Sequence, residues 1–314
     1  MKFLRYLGFG LLTVAAMLSF AVAIALWVYQ DIPAVELEAK YAGPASRFIN
    51  IDGARIHYRD EGKGPVVVLL HANFGNLIGW DPWVEALQDR YRVIRMDMTS
   101  HGLTGPDPSG DYSPERTLDL FERFADALKL RKFSIGGTSM GGTVAIQYTN
   151  KHPDRIKNLI LLSPGSLEGK ERKSGPRGEV PDSAYLLKYI MPRALPEFML
   201  RSGYGDKSKL TDEVIDRWYD MWMREGNREA QLDRLQQYKS GDIEGVIRRL
   251  RPPTLLMWGE ANTTAKFEQA EHFRELLENV ESLTYISYPG VGHMAVQEAG
   301  KETGADVRKF LDNQ

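Results

Sequence analysis

A serine, Ser139, stands at the centre of the pentapeptide Gly-Thr-Ser-Met-Gly at residues 137–141. Its spacing from the two glycines is the Gly-x-Ser-x-Gly pattern of a nucleophilic serine. The pentapeptide follows an apolar run, 133–136, and opens a run typical of a helix, 142–148. A strand that turns sharply into a helix holds its apical residue in a strained backbone conformation, and small residues two positions before and after let the two elements pass closely. The sequence therefore predicts that the Ser139 hydroxyl is held out where a base and a substrate can reach it.

A serine hydroxyl becomes a strong nucleophile only when a base removes its proton, so the chain must also supply a base. Of the six histidines, His293 is the best candidate, because it lies in the glycine-rich segment 289–294 directly after the last predicted strand. Parallel sheets carry functional residues on the loops at the carboxyl ends of their strands. His57 lies in a predicted hairpin strand, and His152 and His272 have helix-end or helix-face settings, so we interpret these three as structural or surface residues.

Acyl transfer also needs two hydrogen-bond donors aimed at the oxyanion of the tetrahedral intermediate. The residue after the nucleophile usually provides one backbone N–H, here that of Met140, and the loop after an earlier strand provides the other. That loop is 71–75, in which Asn73 occupies the position whose N–H would point inward. We interpret His71, at the strand end, as a structural residue that fixes this loop.

The hydrophobic pattern predicts the elements that must position these groups. The predicted strands are 47–51 and 55–58, which flank the turn Asp52-Gly53, followed by 66–70, 91–96, 133–136, 157–162, 253–258 and 283–288. A helix is predicted over 114–128 with Ser113 as its N-cap. Alternating strands and helices predict an α/β protein with a mostly parallel, doubly wound sheet. The charged, helical stretch 165–250 interrupts this alternation and is predicted to be an inserted cap.

The N-terminal segment is apolar enough to span a membrane. Lys2 and Arg5 precede an uncharged stretch, residues 7–29, whose length of about 23 residues suits the roughly 30 Å hydrocarbon layer of a bilayer. The basic flank predicts a single-pass helix with a cytoplasmic N-terminus and the catalytic domain outside the cytoplasm, in the periplasm of a Gram-negative cell. The alternative is a signal peptide, because Ala-Val-Ala at 21–23 resembles a cleavage site, and the domain would then be secreted.

We expect a membrane anchor in residues 1–30, a linker in 31–46, a core in 47–164 and 251–314, and the cap in 165–250. The net charge of −2 argues against nucleic acid as a partner. The absence of cysteine excludes disulfides and thiolate metal sites. No metal or organic cofactor is implied, and the oligomeric state is left open.

In these features the chain resembles the α/β-hydrolase superfamily, in the branch that carries a helical cap. The resemblance covers roughly residues 47–311, and its markers are Leu-His-Ala-Asn at 70–73 with Trp80, Asp-Met-Thr-Ser-His-Gly at 97–102, the motif at 137–142, Trp-Gly-Glu at 258–260 and Gly-His at 292–293. It implies Ser139 as nucleophile, His293 as base, and a cap over an acyl or alcohol pocket. It also implies that Asp97 and His101 are structural.

The acid position departs from the family pattern. The family keeps an aspartate three residues after the glycine of the Trp-Gly loop, and here that residue is Asn262. An asparagine carbonyl can orient the histidine ring but has no charge to stabilise the imidazolium. In serine proteases the same exchange lowers turnover by about 10⁴, or about 5.4 kcal/mol of barrier. Glu260, in the same loop, could swing in as the acid instead. A carboxylate after the strand ending at Leu162 is a further alternative, but residues 163–166 offer none.

The first hypothesis is a membrane-anchored serine hydrolase that cleaves a carboxylic ester, with a hydrophobic acyl or aryl group, through an acyl-enzyme. Large apolar residues of the loop and cap are expected to line its pocket: Phe74, Trp80, Trp218 and Trp222. A second hypothesis is a binding protein of the same fold with a weakened or inactive site, because Asn262 is also what a lost activity would leave. Carbon–carbon bond hydrolysis and perhydrolysis are further alternatives on this scaffold, since the fold alone does not decide the reaction.

Overall fold

The central element of the fold is one sheet. The structure, a computed structural model, describes residues 2–165, 180–239, 241 and 243–314. The strands are β1 (Ser46–Ile51), β2 (Ala54–Glu61), β3 (Val66–Leu70), β4 (Arg92–Met96), β5 (Phe133–Ser139), β6 (Ile156–Pro164), β7 (Thr254–Gly259) and β8 (Leu283–Tyr288). These eight strands pair in the order β1-β2-β4-β3-β5-β6-β7-β8. The β1–β2 and β2–β4 pairs are antiparallel and the others parallel, which confirms the predicted α/β architecture.

The chain also contains twelve α-helices among the described residues, and several of them cover both faces of this sheet. They are α1 (Lys2–Val28), α2 (Ala34–Tyr41), α3 (Asp81–Leu87), α4 (Pro114–Ala127), α5 (Met140–Lys151), α6 (Ala194–Gly203), α7 (Asp212–Met223), α8 (Asn227–Gln237), α9 (Ile243–Ile247), α10 (Glu268–Leu276), α11 (Ala295–Glu298) and α12 (Gly300–Asp312). The predicted N-cap of α4 is present, because the Ser113 hydroxyl accepts a hydrogen bond from the Arg116 N–H at 3.2 Å.

The alternation of side chains along β3 builds two separate cores. Val68 and Leu70 face a cluster that contains residues of α4, α5 and α10. Val67 and Leu69 face the opposite cluster, which contains residues of α3 and α12. A continuous apolar strand is buried on both faces for this reason, as is usual in parallel sheets.

The cap lies between β6 and β7. Its helices α6 and α7 share an apolar cluster built around Leu200, Ile215, Trp218 and Trp222. Residues 166–179, within the range predicted as cap, lie outside the described residues. The helix α9 also falls in that range, but it packs on the sheet core, because its Ile243 and Ile247 belong to the cluster of α4 and α5.

The segment 31–46, which we expected as a linker, contains α2 and is joined to the cap. Leu37 of α2 is buried against Leu103 and Met221. Preceding it, α1 is the one helix in the described part of the chain that is long and apolar enough to cross a membrane, over Phe9–Val28. An uncleaved anchor and a signal sequence both have this character, so both interpretations of the N-terminus remain predictions.

Candidate active site

Ser139 occupies a strained turn between β5 and α5. Its backbone has φ 50° and ψ −120°, in a region that residues with a side chain rarely adopt. The flanking glycines make this turn possible, because a Cβ on Gly137 would lie 2.3 Å from the carbonyl carbon of Gly141. The turn thus has the form that the pentapeptide predicts, with the serine at its apex.

The histidine loop after β8 is held by the cap and by a buried glutamate. The N–H of His293 donates to the carbonyl oxygen of Gly203, at the end of α6, at 2.6 Å. The neighbouring Gly292 N–H donates to Oε2 of Glu298 at 2.8 Å, and Oε1 of the same carboxylate accepts from the Asp206 N–H at 2.7 Å. Glu298 therefore connects the histidine loop to the cap segment that follows α6.

The side chain of Asn262 contacts the ring of His293 through its amide nitrogen, where we expected the carbonyl oxygen. The Nδ2 atom of Asn262 lies 3.0 Å from Nδ1 of His293. The amide oxygen Oδ1 accepts hydrogen bonds from the backbone N–H groups of Thr264 and Ala265, at 3.0 and 2.9 Å. These two donors fix the orientation of the amide, because an NH₂ group in place of Oδ1 would face two N–H groups.

This orientation determines the tautomer of His293. An amide NH₂ can only donate, so Nδ1 of the ring must accept and the ring proton resides on Nε2. Burial lowers the pKa of His293 to about 4, so the ring is neutral near pH 7. A general base toward Ser139 needs the opposite tautomer, with Nε2 free. The ring is therefore well placed to donate a hydrogen bond from Nε2 and poorly prepared to accept a proton there.

Glu260 lies in the same loop as Asn262 but has a different partner. Its Oε1 accepts a hydrogen bond from the Ser287 hydroxyl at 2.7 Å, and the side chain is exposed. Among the described residues it makes no hydrogen bond or ion pair with His293, so the structure brings Asn262, and not Glu260, to the ring.

The two predicted oxyanion donors are the backbone N–H groups of Asn73 and Met140. Met140 begins α5, and N–H groups of a first helical turn have no intrahelical acceptor. The N–H of Asn73 has no hydrogen-bond partner among the described residues. The next residue, Phe74, adopts φ 62°, and its N–H donates to Nε2 of His101 at 2.9 Å. The N–H groups of Asn73 and Met140 are thus available to a ligand.

His71 and His101 fix the loop 71–75 through their hydrogen bonds, which is a structural role. The Nδ1 of His71 bonds the Ala72 carbonyl at 2.7 Å, and its Nε2 accepts the Met98 N–H at 3.0 Å. Burial lowers the pKa of both histidines, which keeps both rings neutral.

Asp97 is likewise structural. Its carboxylate bonds Nδ1 of His57 at 2.7 Å and the N–H groups of Leu77 and Leu103 at 2.7 and 2.9 Å. Burial alone would raise the pKa of Asp97, but the hydrogen bond with His57 and the nearby imidazoles lower it overall. All of these contacts tie β2 and β4 to the loops beneath the site.

One cavity joins the nucleophile turn to the histidine loop. Thr138 and His293 both line it, together with Trp80 and Trp218 of the predicted pocket. The Ser139 hydroxyl forms no hydrogen bond within the described residues, so the Ser139–His293 bond stays a prediction. Such bonds are often long before substrate binds.

The other two predicted pocket residues pair with each other instead of lining this cavity. The Trp222 Nε1–H donates to the Phe74 carbonyl at 3.2 Å, and the two rings lie 4.7 Å apart. The cavity itself leaves about 20 Å³ for a water-sized sphere, room for about one water molecule. A larger substrate does not fit the cavity in this conformation.

The lining contributes two donors that the sequence did not single out. Nδ2 of Asn76 and Nε1 of Trp80 are buried without a hydrogen-bond partner among the described residues. Both residues line the cavity, so both donors can hold a water or a substrate oxygen. Among the described lining residues there is no lysine or arginine.

Comparison with known proteins agrees with this fold. A family model for the alpha/beta hydrolase fold matches residues 65–299. The chain is 26% identical over 277 residues to the 2-hydroxy-6-oxo-6-(2'-aminophenyl)hexa-2,4-dienoic acid hydrolase of Metapseudomonas resinovorans, covering 85% of this chain and 91% of that protein. It is 24% identical over 266 residues to Lipase 3 of Moraxella sp. (strain TA144), covering 81% and 79%.

A solved structure extends the likeness to the whole chain. A bacterial membrane phospholipase A superposes with a TM-score of 0.71 at 21% identity, covering 100% of this chain and 99% of that one. The family match spans most of the sequence, and the chain belongs to the α/β-hydrolase fold family. It is a hydrolase of that fold.

Proposed function

We propose that this hydrolase cleaves a carboxylic ester through an acyl-enzyme on Ser139. The observation that carries the proposal is the strained turn at Ser139, which lies beside the N–H of Met140 and whose neighbour Thr138 lines the same cavity as His293. A nucleophile at the head of a helix next to two oxyanion donors is arranged for attack on a carbonyl carbon.

In this reaction the Ser139 oxygen adds to the ester carbonyl, and the N–H groups of Asn73 and Met140 stabilise the oxyanion. His293 takes the hydroxyl proton and returns it to the departing alkoxide or phenoxide. Water then adds to the acyl-enzyme, with His293 again as base, and the acid is released. Atoms and protons balance without a metal or organic cofactor.

Asn262 limits the rate of this sequence. For Nε2 of His293 to accept a proton, the ring proton must move to Nδ1, where it would face the Asn262 NH₂. Turning the amide to offer Oδ1 sacrifices the bonds from Thr264 and Ala265, each costing about 1–3 kcal/mol if the donor stays buried and unpaired. Esters with good leaving groups, such as aryl esters, need the least help from the base and are the substrates we expect.

Carbon–carbon bond hydrolysis is the second candidate, because several relatives are named as hydrolases of 2-hydroxy-6-oxo acids. Those substrates carry a carboxylate. The described lining of this cavity contains no lysine or arginine to receive one, which favours an uncharged ester.

A fluorophosphonate probe tests whether the serine is reactive. We expect labelling of the full-length protein that disappears in Ser139→Ala, together with hydrolysis of p-nitrophenyl esters that the same variant loses. Turnover of a 2-hydroxy-6-oxo dienoate in preference to every ester would favour the second candidate. Absence of both labelling and turnover would favour a binding protein with an inactive site.

We also propose that α1 remains as a membrane anchor, with its N-terminus in the cytoplasm and the catalytic domain outside. The apolar run continues past the Ala-Val-Ala site at 21–23 as far as Val28, and this length supports an anchor over cleavage. Protease treatment of intact spheroplasts should digest the domain and leave the anchor. Recovery of a mature protein that begins after residue 23 would contradict it.

A further inference from the structure

The cap exposes an apolar surface that its own packing does not explain. Outside α1, the large hydrophobic side chains that the described residues expose are Val35, Leu235 and four that lie close together in the sequence of the cap, Leu186, Tyr189, Ile190 and Phe198. Phe198 is 71% exposed and Leu186 is 62% exposed. We refer to these four residues as the cap patch. Clustered exposed apolar residues of this size mark interaction sites on soluble domains.

The cap patch adjoins the end of α1. Tyr29, which follows α1, packs on the same apolar cluster as Leu187 and Leu195, the sequence neighbours of the patch. Asp31 and Tyr189 line one cavity, with about 170 Å³ of space for a water-sized sphere. The segment directly after the apolar helix therefore lies beside Tyr189, one residue of the patch.

The connection between α1 and the cap is fixed by directional bonds. The Ile32 N–H donates to the Met223 carbonyl at 2.7 Å, and the Ile32 carbonyl accepts the Glu225 N–H at 2.9 Å. Asp31 accepts from Nε and Nη2 of Arg228 at 3.0 and 2.6 Å. Because these bonds begin three residues after Val28, the cap cannot move far from the plane in which α1 ends.

The cavity between the anchor and the patch is polar and electrically balanced. Lys188 and Arg228 line it together with Asp31 and Glu229. Nη1 of Arg228 is buried without a partner among the described residues. These charges pair with each other, because Arg228 binds Asp31 at 2.6 Å and Nζ of Lys188 lies 3.6 Å from Glu229. The lining therefore carries no net charge that would select an anionic headgroup over a zwitterionic one, and Tyr189 and Lys188 are residue types that favour the membrane interface.

We propose that the cap patch lies in the headgroup layer of the membrane that α1 spans, with zwitterionic lipid as its partner. This inference rests on the membrane anchor of the proposed function. It adds that the cap itself, and not only α1, contacts the bilayer.

The native chain has no cysteine, which permits a clean test by single-cysteine labelling. Ile190→Cys and Phe198→Cys place a fluorophore in the patch, and Lys301→Cys, exposed on α12, is the matched control. Each full-length variant is reconstituted in phosphatidylcholine nanodiscs with or without nitroxide-labelled headgroup lipid. We expect quenching at positions 190 and 198 at least about twofold stronger than at 301, because an interfacial side chain reaches the headgroup boundary.

Two failures of this experiment can be told apart. Equal, weak quenching at all three positions in protein that stays bound to the discs overturns the cap contact and leaves the anchor intact. Failure of the protein to stay with the discs overturns the anchor as well. Turnover of a soluble aryl ester in detergent, measured on the same variants, reports the proposed hydrolysis independently of both.

Discussion

Nδ2 of Asn262 lies 3.0 Å from Nδ1 of His293, and this contact sets the chemistry of the site. The asparagine orients the ring as an acid residue would, but it donates where an aspartate would accept. The Oδ1 atom is already committed to the backbone, so the usual description of asparagine as a carbonyl acceptor for the ring does not apply here. The geometry of a triad is kept while the direction of one hydrogen bond is reversed.

Replacing Asn262 with aspartate should restore that direction. One carboxylate oxygen would keep the bonds from Thr264 and Ala265, and the other would accept from Nδ1 of His293, which frees Nε2 as a base. We expect kcat for p-nitrophenyl esters to rise at least about tenfold and at most about 10⁴-fold. The imidazole nitrogen shifts of His293 in a ¹⁵N-histidine NMR spectrum should report the change from the Nε2–H to the Nδ1–H tautomer.

Asn262→Ala is the matched comparison, because it removes the contact without adding a carboxylate. It should not raise turnover. If Asn262→Asp leaves both kcat and the tautomer unchanged, another group already serves as the acid. Glu260→Gln, which removes the carboxylate charge, would then be the next variant to assay. An unaltered rate in this variant would exclude Glu260 as the acid.

The low pKa of His293 predicts a pH dependence of stability. A buried ring with a pKa of about 4 in the folded state takes up its proton near 6.5 when unfolded. Between these values the unfolded chain binds more protons, so the free energy of unfolding rises with pH over this window and falls on acidification. The full effect is at most about 3 kcal/mol at pH 4 relative to pH 7.

His71 and His101 act in the same direction, so the contribution of His293 must be isolated by a variant. We expect His293→Gln to lose less stability than the native chain between pH 7 and pH 5, measured by chemical denaturation in the same detergent. Parallel curves for the two proteins would show that the ring titrates normally and is solvated in the folded state.

Much of the fold follows from local sequence patterns. The contact between Asn262 and His293 shows what such patterns do not predict. The apolar run at Val66–Leu70 dictates a strand buried on both faces, and the small residues at 137 and 141 dictate the sharp turn. The spacing from Gly259 identifies Asn262, but the orientation of its amide depends on two N–H groups of a turn that no periodicity describes.

Glu298 and the segment 31–46 illustrate the same limit at longer range. The carboxylate of Glu298 is buried only because it meets Gly292 and Asp206, and the sequence offers no sign of that meeting. The segment after the anchor has the composition of a linker, yet its Ile32 pairs with the end of a helix about two hundred residues away. Contacts between distant segments are decided by packing, which local composition does not record.

Gly137→Ala tests the requirement for close passage at the nucleophile turn. The added Cβ would meet backbone atoms of Gly141 at 2.3 Å, and backbone cannot give way as a flexible side chain can. We expect a loss of about 3 kcal/mol in the free energy of unfolding, or failure to fold. Gly10→Ala, whose Cβ would meet nothing within 4 Å, is the control and should be neutral. A stable, fully active Gly137→Ala variant would refute the strained turn.

Glu298→Gln tests whether this carboxylate positions His293 through its loop. The amide can accept from only one of the Gly292 and Asp206 N–H groups and sets its NH₂ against the other, so the histidine loop should shift relative to the turn at Ser139. We expect kcat for aryl esters to fall about tenfold or more with KM nearly unchanged, because positioning acts on the reacting atoms. Glu302→Gln, exposed on α12, is the control and should match the native rate. A lower thermal stability of Glu298→Gln, with kcat and fluorophosphonate labelling per folded molecule unchanged, would contradict this prediction. It would indicate that Glu298 stabilises the cap without positioning the base.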